Sequence, residues 1–409
     1  MANSFVDNSY VKLFIANIID AMPYLKRSKS HFAGELKGKK GGEVYNFVLR
    51  DSGKPTSGLA VTGSDRLDVK EGKIWLAARH KKSVVALNIL ESVVDIYGFK
   101  EEIADPYGLN LGAEIQKDAI DESYFDGCVA KVATSNGWTA LSSAIAHQRS
   151  ARNGAKLCGF LSPEAEDSLT THSLNNWHFS SNELVDRFYK EGAVGMFHGT
   201  EFAYVNDVPV VTVPSGGFSN ITVSAGANVA APTTSLSGAV DRTVLTVSSL
   251  SQDIPAGVPF TMEGAYACDS LGRKTRALFS FITQEAAKSG ETQLVVQRLR
   301  PEDCGSRNVS IPGVTDVASI AGTLVCQLAA NTSYEVAQIR CDDVMNWDNI
   351  PLDDIAQCEN TSATFGGVNM HVAKGGDWGT AKNSTRWDVG YLTGIVDNRL
   401  VSLAYMPVV

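Results

Sequence analysis

Apolar residues along this chain keep one rhythm, lose it, and take up another. Between residues 9 and 22, Val11, Phe14, Ile15, Ile18, Ile19 and Met22 recur at the three-and-four spacing of an amphipathic helix, and Pro23 ends it. Residues 44–49 and 73–78 read as strands, and 84–94 as a further apolar element. Between the two strands lies a polar, glycine-bearing stretch of about twenty residues, and loops that long inside compact domains are usually functional. Residues 110–133 predict the longest helix. Ile115, Phe125, Cys128, Val129 and Val132 share one stripe, with Lys117, Asp118, Asp121, Glu122, Asp126 and Lys131 elsewhere. At ~1.5 Å per residue such a rod would reach roughly 36 Å, weakened at Gly127 by about 1 kcal/mol.

An α/β passage follows. Residues 156–161 read as a strand, with Ser162, Pro163 and Glu164 as N-cap, first-position proline and first-turn acid of a short helix. Ser180 and Glu183 offer a capping box before 184–189, and 208–213 reads as a strand. The chain then dissolves into Ser215, Gly216 and Gly217 and changes character for about a hundred residues. Segments 243–248, 277–282 and 293–299 are short, rich in Val, Thr, Leu and Phe, and divided by Gly, Pro, Ser and Asp turns. That is the pattern of a small antiparallel barrel or sandwich, here set into a loop of a larger domain. After about Asn331 the mixed character returns, ending in a strand-like tail over 400–408.

Composition changes this picture only in part. A chain of 409 residues, 44% hydrophobic and 20% charged, forms about two or three units and needs no disulfide or metal staple. Its net charge of −9 argues against a protein whose work is gripping phosphates. One segment runs the other way: from Tyr24 to Lys54 there are eight Lys/Arg against three acids. A terminal helix followed by such a stretch reads as a poor core element and a good extended arm. The seven cysteines (128, 158, 268, 304, 326, 341, 358) are odd in number and lack CxxC spacing, so they suggest a reduced, intracellular place of synthesis. No apolar run approaches the ~20 residues needed to span a bilayer, and no secretory pattern opens the chain.

Candidate chemistry is sparse. His172 and His178 are six apart beside Glu166 and Asp167, the wrong spacing for a metal pair, and read as loop histidines. Asp342, Asp343, Asp348, Asp353 and Asp354 lack the spacing and closing Glu of a calcium loop and read as a solvated face or subunit edge. Cys128 reads as core. No nucleophile elbow, HExxH, Walker loop or Gly-x-Gly-x-x-Gly occurs, so neither enzymatic activity, metal nor cofactor is expected.

The order of these elements carries a resemblance. Arm helix, basic linker, glycine-bearing loop between strands and long helix lead to the strand–Ser162-Pro163-Glu164–helix. The turn Gly199-Thr200-Glu201-Phe202-Ala203-Tyr204-Val205-Asn206-Asp207-Val208-Pro209-Val210, a β module and a final mixed segment complete the series. This resembles the major capsid proteins of tailed bacteriophages, specifically the P22-like coat proteins. The resemblance implies an α+β, HK97-type capsid fold with an inserted small antiparallel β-barrel. It implies an N-terminal arm (1–38), an extended loop with flanking strands (39–73), and a peripheral domain (74–137) whose spine helix is 110–133. The axial domain would be split into 138–218 and 337–409 by the barrel at 219–336.

The implied function is structural: a coat protein of a tailed double-stranded DNA phage, self-assembling into an icosahedral shell in the host cytoplasm and residing in the virion capsid. Implied partners are copies of itself in hexamers and pentamers, a scaffolding protein during assembly, a portal protein at one vertex, decoration proteins, and packaged DNA that is enclosed without sequence-specific binding. No membrane is involved. Assembly contacts would fall at Asp7, Lys12 and Asp20 on the arm, with the scaffold facing them. Others would fall at Lys54, Asp65, Arg66 and Asp68 in the loop and at Asp241 and Arg242 where the barrel begins. The rival reading is a secreted or surface-located binding protein with a β-barrel recognition module. It requires paired cysteines and an exposed aromatic cluster, whereas Phe279 and Phe281 alternate as core residues do.

Overall fold

The computed structural model describes residues 8–32, 36, 44–50, 71–88, 105–166, 169, 196–229, 241–302, 306–356, 358–377 and 382–408. Helix α1 (Asn8–Asp20) is followed by a 3-10 turn at Leu25–Arg27. Strands β1 (Val44–Arg50) and β2 (Glu71–Asn88) come next. Helix α2 (Asp105–Ser123) leads into β3 (Val129–Val132), and α3 (Gly137–Ala151) into β4 (Leu157–Leu161). Three short strands follow: β5 (Met196–Phe197), β6 (Thr200–Tyr204) and β7 (Val211–Thr212). The middle of the chain holds β8 (Ile221–Asn228), β9 (Arg242–Val247), β10 (Pro259–Cys268) and β11 (Lys274–Ile282). It continues with β12 (Gln293–Gln297), β13 (Val309–Ser310) and β14 (Gly322–Cys326). Last come β15 (Ser333–Cys341), β16 (Met345–Asn349), β17 (Glu359–Phe365), β18 (Val368–Asp377), β19 (Lys382–Ile395) and β20 (Val401–Pro407).

These strands form three sheets. One runs β1-β2-β19-β18-β17, with β16 beside β19. β2 changes partner along its length: residues 71–77 pair with β1 and 78–88 with β19, so its first part is half of a two-stranded antiparallel ribbon with Arg50 opposite Glu71. The second sheet, β3-β20-β15-β4-β6-β5, contains parallel pairs at β3–β20 and β4–β6. The third, β11-β10-β14-β8-β9-β12, draws all its strands from 221–326. Its ends approach each other, since Thr283 bridges Val296 and Gln284 N–H donates to Val295 O at 2.9 Å. Alternation explains it: Phe260 and Met262 are buried with Phe279 and Phe281, while Thr261, Arg276 and Leu278 face outward or lie between.

Three departures from sequence expectation have physical causes. The long helix ends at Ser123, not 133. Tyr124 O–H is held by Val336 O (2.6 Å), Phe125 packs edge-on against it, and 129–132 pairs with β20, so the sheet takes the apolar residues assigned to the helix stripe. Second, β7 keeps only two residues of the strand expected over 208–213. Third, the final segment is strand-rich instead of mixed. Two local readings agree with the structure. The Ser162 hydroxyl accepts from Ala165 N–H at 3.0 Å as a cap should, and Cys128 is fully buried, which pushes its thiol pKa well up. The capping box at Ser180 and Glu183 lies outside the described residues.

Candidate assembly surfaces and the buried joint

Helix α1 and the described residues 24–32 of the basic segment are core elements, contrary to the poor-core expectation. Val11, Phe14, Ile15 and Ile18 are buried, and Phe14 stacks on Trp387 with centroids 4.8 Å apart. Close approach to α2 depends on two glycines one turn apart. A Cβ at Gly112 would lie 2.5 Å from Ile18 O, and one at Gly108 would lie 2.9 Å from Asn17 Cβ. Past Pro23 the chain is stitched down. Tyr24 N–H donates to Gln116 Oε1 (3.0 Å) and its hydroxyl to Gln338 Oε1 (3.0 Å). The fully buried Arg340 donates to Tyr24 O at 2.8 Å and covers the Tyr24 and Phe160 rings at 4.2 and 4.4 Å. Lys29 then bridges Asn346, while the Asp348 carboxylate accepts from Ser30 Oγ and from Phe32 N–H (2.9 Å). Asp348, read from sequence as part of a solvated face, is therefore an internal anchor.

The expected assembly residues divide into three groups. Lys12 and Asp20 face solvent on α1, where Asp20 pairs with Lys26 at 2.9 Å; an exposed pair contributes only ~0.2–1 kcal/mol. Asp7, Lys54, Asp65, Arg66 and Asp68 lie outside the described residues. Asp241 and Arg242 are engaged within the chain. Arg242 is 3% exposed, donates to Glu122 O and sits 3.3 Å from Asp126 Oδ2, while Asp241 meets Arg298 at 2.6 Å and Arg300 at 3.7 Å. Burial raises the Asp126 and Asp241 carboxyl pKa values, against the opposing pull of these arginines.

This joint is wider than one ion pair. Gln284 Nε2 donates to Phe125 O (2.9 Å), Gln297 Nε2 to Gly127 O (3.0 Å) and Ala130 N–H to Ser280 Oγ (2.9 Å). Tyr405 O–H reaches Gly257 O at 2.6 Å, and Gly257, at φ 86°, leaves room for the Phe125 ring where a Cβ would come within 2.4 Å. The 221–326 segment thus clasps residues 122–130, the link between α2 and β3. Sequence reasoning missed it because it pairs residues more than a hundred positions apart; the one local signal was the Asp241-Arg242 doublet.

Two further charge clusters brace the ribbon sheet. Acids on α2 meet bases on β2: Lys81 Nζ lies 3.1 Å from Asp118 and Arg79 Nε 3.4 Å from Glu122. Burial raises the Glu122 pKa although Arg79 and Arg242 oppose it. On the other face Asp388, almost fully buried, lies 2.6 Å from His80 Nε2 and accepts both Arg386 Nε contacts at 2.7–2.8 Å. Burial alone would raise its pKa, but His80 and Arg386 outweigh burial and lower it. A lowered carboxyl stabilises the fold above the unfolded value of about 3.9, and that contribution fades as pH falls through the folded value. Asp388→Asn is expected to cost roughly 1.5–3 kcal/mol at neutral pH, with the gap to wild type closing below about pH 4 in urea titrations run across pH.

Among the described residues no group of three or more His, Cys, Asp or Glu could hold a metal ion, and no helix is long and apolar enough to cross a membrane. His172 and His178 lie outside the described residues. Asp342 and Asp343 pair with Lys156 (3.5 Å) and Arg152 (2.7 Å), so their charges are met by side chains. A cavity of about 390 Å³ opens between α1 and the β17–β18 turn, but the one carboxylate lining it is Asp348, already accepting two hydrogen bonds.

No protein-family model matches this chain, and no curated protein matches it. Solved structures do. The capsid of the cyanophage P-SCSP1u aligns over 93% of this chain and 85% of its own, at 9% identity and a TM-score of 0.43. The capsid of an empty GTA particle aligns over 96% and 90%, at 6% identity and 0.42. The capsid of the Helicobacter pylori bacteriophage KHP30 aligns over 94% and 88%, at 9% identity and 0.41. What this chain is similar to is a set of capsids.

Proposed function

We propose that this chain is the major capsid protein of a tailed double-stranded DNA phage, a building block that assembles with copies of itself into a closed icosahedral shell. The observation that carries the reading is the ribbon of β1 and β2. Where β2 leaves β19 it keeps β1 as its one strand partner among the described residues, and its base is rooted in this chain by Ile74 and Leu76, buried with Phe32, Leu36, Ile350 and Leu392. A two-stranded ribbon rooted at one end is marginal in water at the other, where a neighbour can support it. That is the place the resemblance gives to the extended loop of 39–73 lying on the next subunit.

The remaining assignments follow the same frame: an HK97-type fold with the inserted barrel at 219–336, the two edge strands of its sheet, β11 and β12, meeting at Thr283 and Val296. α2 supplies the spine, and the sheet built on β15 supplies the axial domain. Lys12 and Asp20, exposed on α1, are the described arm residues that would face a scaffolding protein. Portal and decoration proteins, and enclosed DNA, are the other partners of this reading, with synthesis in the host cytoplasm and no catalytic step. A shell needs heterologous contacts that close on symmetry axes, and many weak edges suffice because they act together.

Sedimentation velocity over a concentration series tests this. The expected result is a sharp passage from free subunits to one fast, discrete species once a threshold is crossed. A single-chain boundary at every concentration, with scaffold added or not, overturns the reading.

A further inference from the structure

We propose that β17 is a docking edge at which a second copy of this chain adds its own β17, antiparallel, across a two-fold axis. This rests on the self-assembly reading. β17 ends its sheet: among the described residues its strand partner is β18 alone, from Glu359 opposite Lys374 to Phe365 opposite Val368. The outer row of main-chain N–H and C=O groups is a template for another strand. Soluble proteins blunt such edges with Lys, Pro or a bulge. This edge reads Glu-Asn-Thr-Ser-Ala-Thr-Phe, and its register against β18 runs without a shift. It ends in a half-exposed Phe365, held out by the Gly366-Gly367 turn, both residues at positive φ. One face is already taken, since Ala363 is buried and α1 packs over the strand. Ser362 and Thr364 are exposed, so a partner strand can join edge-on.

Charge selects the occupant and its direction. A chain of net charge −9 must meet its copy where like charges stay apart. The one formal charge on β17 is Glu359. An antiparallel self-pair centred on Ser362 sets each Glu359 beside the other copy's Phe365, with the two carboxylates about 20 Å apart, well beyond the screening length of ~8–10 Å. Parallel pairing would stack Glu359 on Glu359. A single strand pair buries less than the ~1,200 Å² of a stable complex, so the contact is weak alone and works as one of several repeated edges.

The register supplies the test. Centring on the two-fold brings Ser362 opposite its own copy with Cα atoms about 4.5–5.5 Å apart, a separation that suits a disulfide. Full-length Ser362→Cys under mild oxidation should give covalent dimers on a non-reducing gel, above the wild-type background. Thr364→Cys, which would face Asn360 of the copy, should not. Ser362→Lys and Ser362→Glu, exposed and tolerated by the fold, should each raise the assembly threshold roughly two- to fivefold, and an equal mixture should restore it. Wild-type assembly with no excess of Ser362→Cys dimers, or with both charge variants unaffected, overturns the edge contact and leaves self-assembly standing. A wild type that never assembles overturns both.

Discussion

Arg242→Met is expected to lower the stability of the subunit by about 3–5 kcal/mol, the usual cost of leaving a buried charge without its partner. The substitution strips the cation from Asp126 and the donor from Glu122 O, in a joint where Arg242 is 3% exposed. A purely apolar account of the joint predicts little change, because Met fills similar space. Three controls separate the accounts. Arg242→Lys restores charge but not the two-pronged reach, so it should recover part of the loss. Asp126→Asn combined with Arg242→Met should be milder than Arg242→Met alone, because the stranded carboxylate is gone. The deficit should also shrink as pH falls, since burial already raises the Asp126 pKa and protonation removes the unpaired charge. Urea midpoints across pH, with hydrogen exchange at 122–130, read all of these. Equal destabilisation of the single and double variants would contradict the ion-pair account.

The second large effect is at the N-terminal helix. Phe14→Ala removes the ring stacked on Trp387 and opens a cavity, at a cost of about 3–5 kcal/mol. The loss should be local. Amides of residues 11–28 should lose protection first, because this segment joins the body through side-chain packing on α2, β15, β17 and β19 and not through a sheet of its own. Protection in the 221–326 sheet should be unchanged. Uniform loss across the chain would mean that the helix is part of one cooperative unit with that sheet.

How far these features could be read in advance depended on distance along the chain. Locally coded elements were legible: strands near 44–49, 73–78, 243–248 and 277–282, and the Ser162 cap, all rest on alternation or on a residue three positions away. The candidate surfaces were less so. Phe14 needs Trp387, Tyr24 needs Gln338 and Arg340, and Asp348 needs Ser30 and Phe32, partners more than three hundred residues apart. The same blindness turned a basic segment into an extended arm. Its lysines and arginines dominate the local pattern, while the groups that hold Tyr24, from Gln116 and Phe160 to Gln338 and Arg340, lie about ninety to more than three hundred residues away. Asp241 and Arg242 were noticed as charges at a strand entrance, but whether a charge faces a neighbour or a helix end is a tertiary fact. The over-long helix shows a different limit: Cys128, Val129 and Val132 suit a helix stripe and a buried strand alike, and β20 decides between them.

Cryo-electron microscopy of the purified, concentrated protein tests the central claim most directly. The predicted result is closed shells of uniform diameter in which the β1–β2 ribbon of each copy lies across its neighbour. Dispersed single chains, or particles in which no ribbon reaches a neighbouring copy, would contradict it.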